Sequence, residues 1–259
     1  MKRISFLFCL LIAGNICMAQ PKELPAELKA FVLNGYKMLD YIQCNLNDDQ
    51  RIDAILILKV NGEDTIINED PKRPFLLLIR QADGKLKMEK RNDNLVMCHH
   101  CGGMYGEPYA ITKPEKKGFT ISFYGGSNWR WGYDYSFAYN TSKNNWFLVN
   151  EYQQSYNAGD PEHLIKDCNI KDTESGEVPI EKFSSEIVET ETNWKVISAK
   201  TFFFNCPEKG TRPRKGYLVK GDKVVANRVL KNFVEVDFEN KKETYTSGYI
   251  LKKDLQRIK

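Results

Sequence analysis

Cys98, His99, His100 and Cys101 place four side chains able to bind metal or exchange electrons at consecutive positions, within NLVMCHHCGGMYG (94–106). A structural zinc site needs four ligands converging as a tetrahedron. Four neighbours on one backbone rarely point at one centre, and no second CxxC or HxxxH completes the set. The remaining histidine, His163, stands alone in a polar tract, where exposure or capping is its expected role. A thioredoxin-like redox pair needs CxxC at the start of a helix. Here Gly102, Gly103, Gly106 and Pro108 follow at once and break helices. The expectation is therefore a local Cys98–Cys101 disulfide shaping a glycine-supported turn in an oxidising space. So short a loop restrains few unfolded conformations, so its stabilisation falls at the low end for a disulfide.

The compartment follows from the first nineteen residues, MKRISFLFCLLIAGNICMA. Lys2 and Arg3 precede an apolar run, and Cys17-Met18-Ala19 presents a signal-peptidase site before Gln20. A lipoprotein anchor at Cys17 is disfavoured because Ile16 occupies a position that wants a small residue. The run is too short to span a bilayer, and no other stretch is long and apolar enough, so the expectation is an exported, periplasmic or extracellular protein with no transmembrane segment. Cleavage removes two cysteines and leaves Cys44, Cys98, Cys101, Cys168 and Cys206. An odd number leaves at least one thiol free or paired between chains. Nothing in the spacing decides how Cys44, Cys168 and Cys206 pair. Of the four net positive charges, two leave with Lys2 and Arg3. Lysines then alternate with acids, a balance that argues against nucleic acid as a partner.

The second chemical candidate is YGGSNWRWGYDY (124–135). Its aromatics suit stacking on sugar rings, with Arg130 and Asp134 hydrogen-bonding hydroxyls. In a strand, Trp129, Trp131, Tyr133 and Tyr135 share one face, and Arg130, Gly132 and Asp134 the other. Such a stripe is more often a core wall than a ligand platform. Catalytic signals are thin. Ser127 and Ser136 lack a G-x-S-x-G context. Cys98 and His99 face opposite ways on an extended chain, and no third group orients them. Glu107 and Asp134 are candidate paired carboxylates, but no spacing brings them together. No phosphate loop follows Gly102-Gly103.

The elements that must position these residues read as mainly β. One short helix is expected early, with Pro25 in its first turn, an apolar stripe of Leu24, Leu28, Phe31 and Val32, and Asn34-Gly35 at its end. DAILILKV (53–60), FLLLIRQ (75–81), GFTISFYG (118–125), WRWGYDYSFAY (129–139) and NWFLVNEY (145–152) read as strands. ADGK (82–85) reads as a hairpin turn. Residues 153–180 are polar and weakly periodic, and read as a surface excursion. ETETN (189–193) is a polar bridge between a β-rich domain over 20–188 and a compact unit over 195–259. That unit carries β segments at KTFFFN (200–205), KGYLVKGDKVVANRVL (215–230), NFVEVDF (232–238) and TYTSGYILKKDL (244–255).

The order YLVKGDKV, NFVEVDF, TSGYILKKDL resembles the bacterial SH3-like domain family, carried by the Lys220-Gly221-Asp222 turn and the Gly248-Tyr249-Ile250-Leu251 strand. The resemblance covers about a quarter of the chain and implies a small β-barrel. It implies contact with peptidoglycan or an envelope protein, with Tyr217 and Tyr249 as candidate ligand positions beside Trp129, Arg130, Trp131 and Asp134. CNLNDDQRIDAILIL (44–58) resembles the calcium loops of integrin-like and VCBS-type β repeats. By that match Asn45, Asn47, Asp49 and Asp53 are the metal-ligand candidates. One acid is lost at Asn45 and the turn glycine is replaced by Gln50, and Leu56 stands where an EF-hand needs its bidentate glutamate. An Asx-rich turn bonding its own backbone is the competing reading. NDNLVMCHHCGGMYGEPY with YGGSNWRW is similar to a recurring segment of uncharacterised exported bacterial proteins, which brings no activity. Together these expectations describe a non-enzymatic envelope-binding or scaffold protein. The alternative is a cell-wall hydrolase targeted by the SH3-like unit.

Overall fold

The computed structural model of the protein describes residues 23–66, 69–160, 165–185, 192–208, 210–240 and 245–258. The expected leader, residues 1–19, and residues 189–191 of the expected polar bridge lie outside them. No helix among the described residues is long and apolar enough to cross a membrane.

The chain is mainly β. A first antiparallel sheet runs in chain order through β1 (Tyr36–Cys44), β2 (Asp53–Val60), β3 (Arg73–Arg80) and β4 (Leu86–Val96). A second is a five-stranded meander of β5 (Tyr109–Glu115), β6 (Gly118–Gly126), β7 (Trp129–Asn140), β8 (Asn145–Asn157) and β9 (Ile165–Lys171). A four-residue helix, α1 (Asp172–Ser175), follows. The C-terminal part contains β10 (Thr192–Val196), β11 (Lys200–Phe202), β12 (Tyr217–Val219), β13 (Lys223–Val229), β14 (Phe233–Glu239), β15 (Tyr245–Leu251) and β16 (Leu255–Arg257). β11 pairs with β12, and the other five form a sheet in the order β15-β14-β13-β10-β16.

The first two sheets pack face to face. Ile55, Ile57, Phe75 and Leu77 meet Phe119, Ile121, Phe123, Phe137 and Trp146 in one buried cluster. The outer face of the first sheet is covered too: Ala54, Leu56, Leu58, Leu76 and Leu78 pack under Leu28, with Leu24 and Phe31 beside it. This explains why DAILILKV and FLLLI read as unbroken apolar runs, since both faces of β2 and β3 are out of water. The early helix is a six-residue 3-10 turn, Ala26–Phe31, preceded by Pro25. Its stripe has one task, to lid the sheet, and Leu28 is its buried residue. The expected hairpin at 82–85 forms, with Gly84 at φ +83° and its amide donating to the Gln81 carbonyl at 3.0 Å.

The expected surface excursion over 153–180 is corrected. β8 continues to Asn157, and β9 adds an edge strand with Cys168 and Ile170 turned inward. Residues 179–185 return to the core through Ile180 and Phe183, whose carbonyls accept bonds from the Asn92 amide. Thr192 and Asn193, read as part of a bridge, already belong to β10.

The C-terminal sheets enclose their own cluster, with Trp194, Val196, Leu218, Val224, Val234, Val236 and Ile250 at its centre. The seam between this part and the second sheet is covalent, apolar and ionic, with Ile170 of β9 packed among Leu230, Phe233 and Tyr249. Cys168 of β9 is disulfide-bonded to Cys206, 38 positions away. Glu151 of β8, buried, accepts two bonds from the Arg228 guanidinium at 2.8 and 2.7 Å. The Glu174 carboxylate accepts the Asn232 side-chain amide at 2.7 Å, and its carbonyl accepts the Lys231 amide at 2.9 Å.

Candidate functional site

The stapled loop follows β4 and folds over the β6–β7 end of the second sheet. The Cys98–Cys101 disulfide is formed, with the Cα atoms 5.1 Å apart. The same turn is closed by the Cys101 amide donating to the Cys98 carbonyl at 3.3 Å. Sulfurs joined in this way are not thiolate ligands, so the four contiguous side chains are no zinc set. The chain continues as a 3-10 turn, His99–Tyr105, broken at Gly103, where φ is +64°. Gly125 lets the loop approach: a Cβ there would meet the Trp131 ring at 2.5 Å and the Gly102 Cα at 2.9 Å. Cys44 is the free thiol among the described residues, and burial followed by the Asp53 charge pushes it up to about 11.

Beneath the loop lies an ion network that sequence reasoning missed. Arg73 is fully buried. Its Nε and Nη2 donate to Glu63 at 2.7 and 2.8 Å, its Nη1 and Nη2 to Glu107 at 2.7 and 2.5 Å, and its Nη1 to the Met97 carbonyl at 2.9 Å. Every guanidinium N–H therefore has an acceptor. Glu107 also accepts the Tyr109 amide at 2.9 Å and lies 3.2 Å from His99 Nδ1. Burial pushes the Glu107 carboxyl up, but the bonds and charge of Arg73 outweigh it and hold the group below its ordinary range. Burial likewise opposes the charge on Arg73, and the two carboxylates reverse that effect. Glu63, Asp64 and His99 bring ligand-type atoms within 4.8 Å of one another. Both Glu63 oxygens are already bonded to Arg73, Asp64 pairs with Lys59, and His99 faces Glu107. No hydrogen bond joins Glu107 to Asp134, which stands on β7 opposite Ser122 and Tyr152.

Above the loop the aromatic stretch divides. Tyr135 is buried and stacks on Tyr133 at 6.0 Å, and Trp131 packs against Tyr133 at 5.4 Å. Trp131, half-buried, packs against the core. Trp129, at the start of β7, is 46% exposed. Arg130 lies 3.9 Å above the ring of Tyr105, which is 52% exposed and meets Tyr124 edge-on at 5.4 Å. The Tyr124 hydroxyl is hydrogen-bonded to that of Tyr156 at 2.8 Å. Met104, 85% exposed, borders this surface. The loop thus delivers Tyr105 to a patch of rings and one guanidinium; its tip residues gave no sequence signal beyond their place after the glycines.

The two C-terminal candidates part company. Tyr217 is exposed, with the Lys200 ammonium 3.7 Å above its ring and Phe202 alongside. Tyr249 is 4% exposed, within the seam, and its hydroxyl has no hydrogen-bond partner. Burial, with the nearby Glu235 charge, pushes its ionisation well up. Tyr249 is a packing residue, which corrects its expected ligand role.

The acidic loop is a ladder of Asx turns. Asn45 Oδ1 accepts the Asn47 amide at 3.1 Å, Asn47 Oδ1 the Asp49 amide at 2.9 Å, and Asp49 Oδ1 the Arg51 amide at 3.0 Å. Asp49 also pairs with the Arg51 guanidinium. Gln50, in place of the pattern's glycine, takes φ +63°. Asp53 is buried and accepts the Leu46 and Arg80 amides, both at 2.9 Å. The four side chains are turned onto backbone amides.

No family model, curated protein or solved structure matches the chain.

Proposed function

We propose that the chain is an exported, non-enzymatic binding protein of the bacterial cell envelope, with a β-rich domain over 20–188 and an SH3-like barrel over 195–259. On this reading the barrel contacts peptidoglycan through the exposed Tyr217–Lys200 pair, and the stapled loop adds Tyr105, Trp129 and Arg130 as a second contact. The observation that carries the reading is the pairing of exposed rings with cations at both places: Arg130 over Tyr105 and Lys200 over Tyr217. Ring faces take the C–H side of a sugar or an amide plane, and the cations and hydroxyls bond its polar edge. The leader's charged-apolar-small order supports export, and the order of turn and strand motifs after residue 215 supports the barrel. Glu107 gives a general acid little support, because Arg73 holds its carboxylate ionised.

The test is co-sedimentation of the mature chain with purified sacculi. Wild type is retained, Tyr217→Ala and Tyr105→Ala each lower retention several-fold, and the double variant falls to background. No retention of the wild type overturns the proposal. Release of soluble muropeptides would replace it with the hydrolase alternative.

A further inference from the structure

Two adjoining cavities, about 530 and 400 Å³, share Glu208, Lys231 and Asn232; the smaller spans the seam and the larger continues from it along the C-terminal part. Their combined size is that of a pocket for a small ligand. The larger is floored by Phe204, Phe233 and Leu251, with Phe204 and Phe233 edge-to-face at 5.6 Å. Its rim carries Lys231, Lys252 and Lys253. The smaller adds Lys171, Asn169 and Glu174. Glu174 is not a free acid, since the Asn232 side-chain and backbone amides bond its two oxygens at 2.7 and 3.3 Å. Among the described residues, four lysines therefore line the groove with one unengaged carboxylate, Glu208.

From this arrangement we infer that the seam groove binds a short peptide ending in an apolar residue with a free carboxylate. Leu251, Lys252 and Lys253 are consecutive, so apolar floor and cationic rim sit side by side. A ligand filling both must carry its hydrophobic group next to its negative charge. One Lys252 N–H donates to the Leu230 carbonyl at 3.2 Å, which fixes the ammonium at the rim with donors to spare. The Asn169 and Asn232 amides of the smaller cavity suit a peptide backbone. A plain hydrocarbon tail there would leave polar groups unpaired out of water. Neither Tyr105 nor Tyr217 lines the groove, so the inference does not depend on those surfaces.

Isothermal titration calorimetry of the mature chain with N-acetyl-Gly-Leu-Phe, its C-terminal amide and dodecanoate tests the inference. The free acid binds about tenfold or more tighter than the amide, as expected for the loss of one charge-assisted contact. It also binds tighter than dodecanoate. Lys231→Glu with Lys253→Glu, both exposed positions, weakens the acid about tenfold or more without lowering the melting temperature. Tyr105→Ala leaves peptide affinity unchanged while reducing sacculus retention, so the two proposals fail separately. Absence of binding by the acid, equal affinity of acid and amide, or tighter binding of dodecanoate overturns the inference.

Discussion

Arg73 is the residue on which the stapled loop rests. It joins β3, the turn at Glu63 and the segment at Glu107 by five hydrogen bonds. Removing one partner of a buried pair leaves an uncompensated charge, which costs about 3–5 kcal/mol. Arg73→Ala, which strands the buried Glu63 carboxylate without its cation, should therefore lower the unfolding free energy by roughly that amount in a urea titration, whereas an exposed pair such as Arg91–Asp93 should cost under about 1 kcal/mol when broken. The pH dependence has a defined sign. Glu107 is held below its ordinary value in the folded state. Its stabilising contribution is complete above the unfolded-state value and disappears as pH falls through the lowered folded-state value. A Glu107→Gln variant should lose less additional stability than wild type between neutral and acid pH, measured by denaturant midpoints across that range. The network itself was not legible in the sequence: Glu63 and Arg73 resemble ordinary surface charges, and Glu107, singled out as a candidate paired carboxylate, gave no sign of its partner Arg73, 34 positions earlier. The local Cys98–Cys101 bridge was legible, since its partners are neighbours.

At the scale of elements, visibility in the sequence tracked burial. β2 and β3 are buried on both faces and β6 alternates cleanly, so their apolar patterns announced them. β4 was hidden because its exposed face is crowded with Lys87, Glu89 and Arg91, and register shifts at Arg73/Phe75 and Leu77/Leu78 disturb the two-residue period. β5, YAITKPE, buries Thr112 among exposed residues and carries a proline on a sheet edge. β9 turns Cys168 and Ile170 inward within a polar tract, a signal too short to read. The contact between the stapled loop and the second sheet depends on Gly125. Gly125→Ala should destabilise the chain by about 1–3 kcal/mol, because the added carbon forces the Trp131 ring or the Gly102 backbone to move. Thermal denaturation reports the loss. Near-ultraviolet circular dichroism should also change, since Trp131 must shift.

At the scale of the whole molecule the two disulfides differ in kind. Cys98–Cys101 closes a separation of 3 and Cys168–Cys206 one of 38. In the chain-entropy account these correspond to about 2 and about 4 kcal/mol of stabilisation. Replacing Cys168 and Cys206 together by alanine should cost about twice as much as replacing Cys98 and Cys101, by urea unfolding under non-reducing conditions. Cys168 and Cys206 sit together in a small apolar cluster at the seam, between the separate cores of the first two sheets and of the C-terminal sheets, so loss of the bridge should split a single unfolding transition into two.

That bridge has a mechanical consequence. If the C-terminal sheet is tethered to a cell-wall strand, a pull on the tether reaches β9 through a covalent bond. The salt bridges and apolar contacts around it cannot then be peeled apart one by one. Under load, the weak link shifts to the hydrogen bonds holding β9 along the edge of β8.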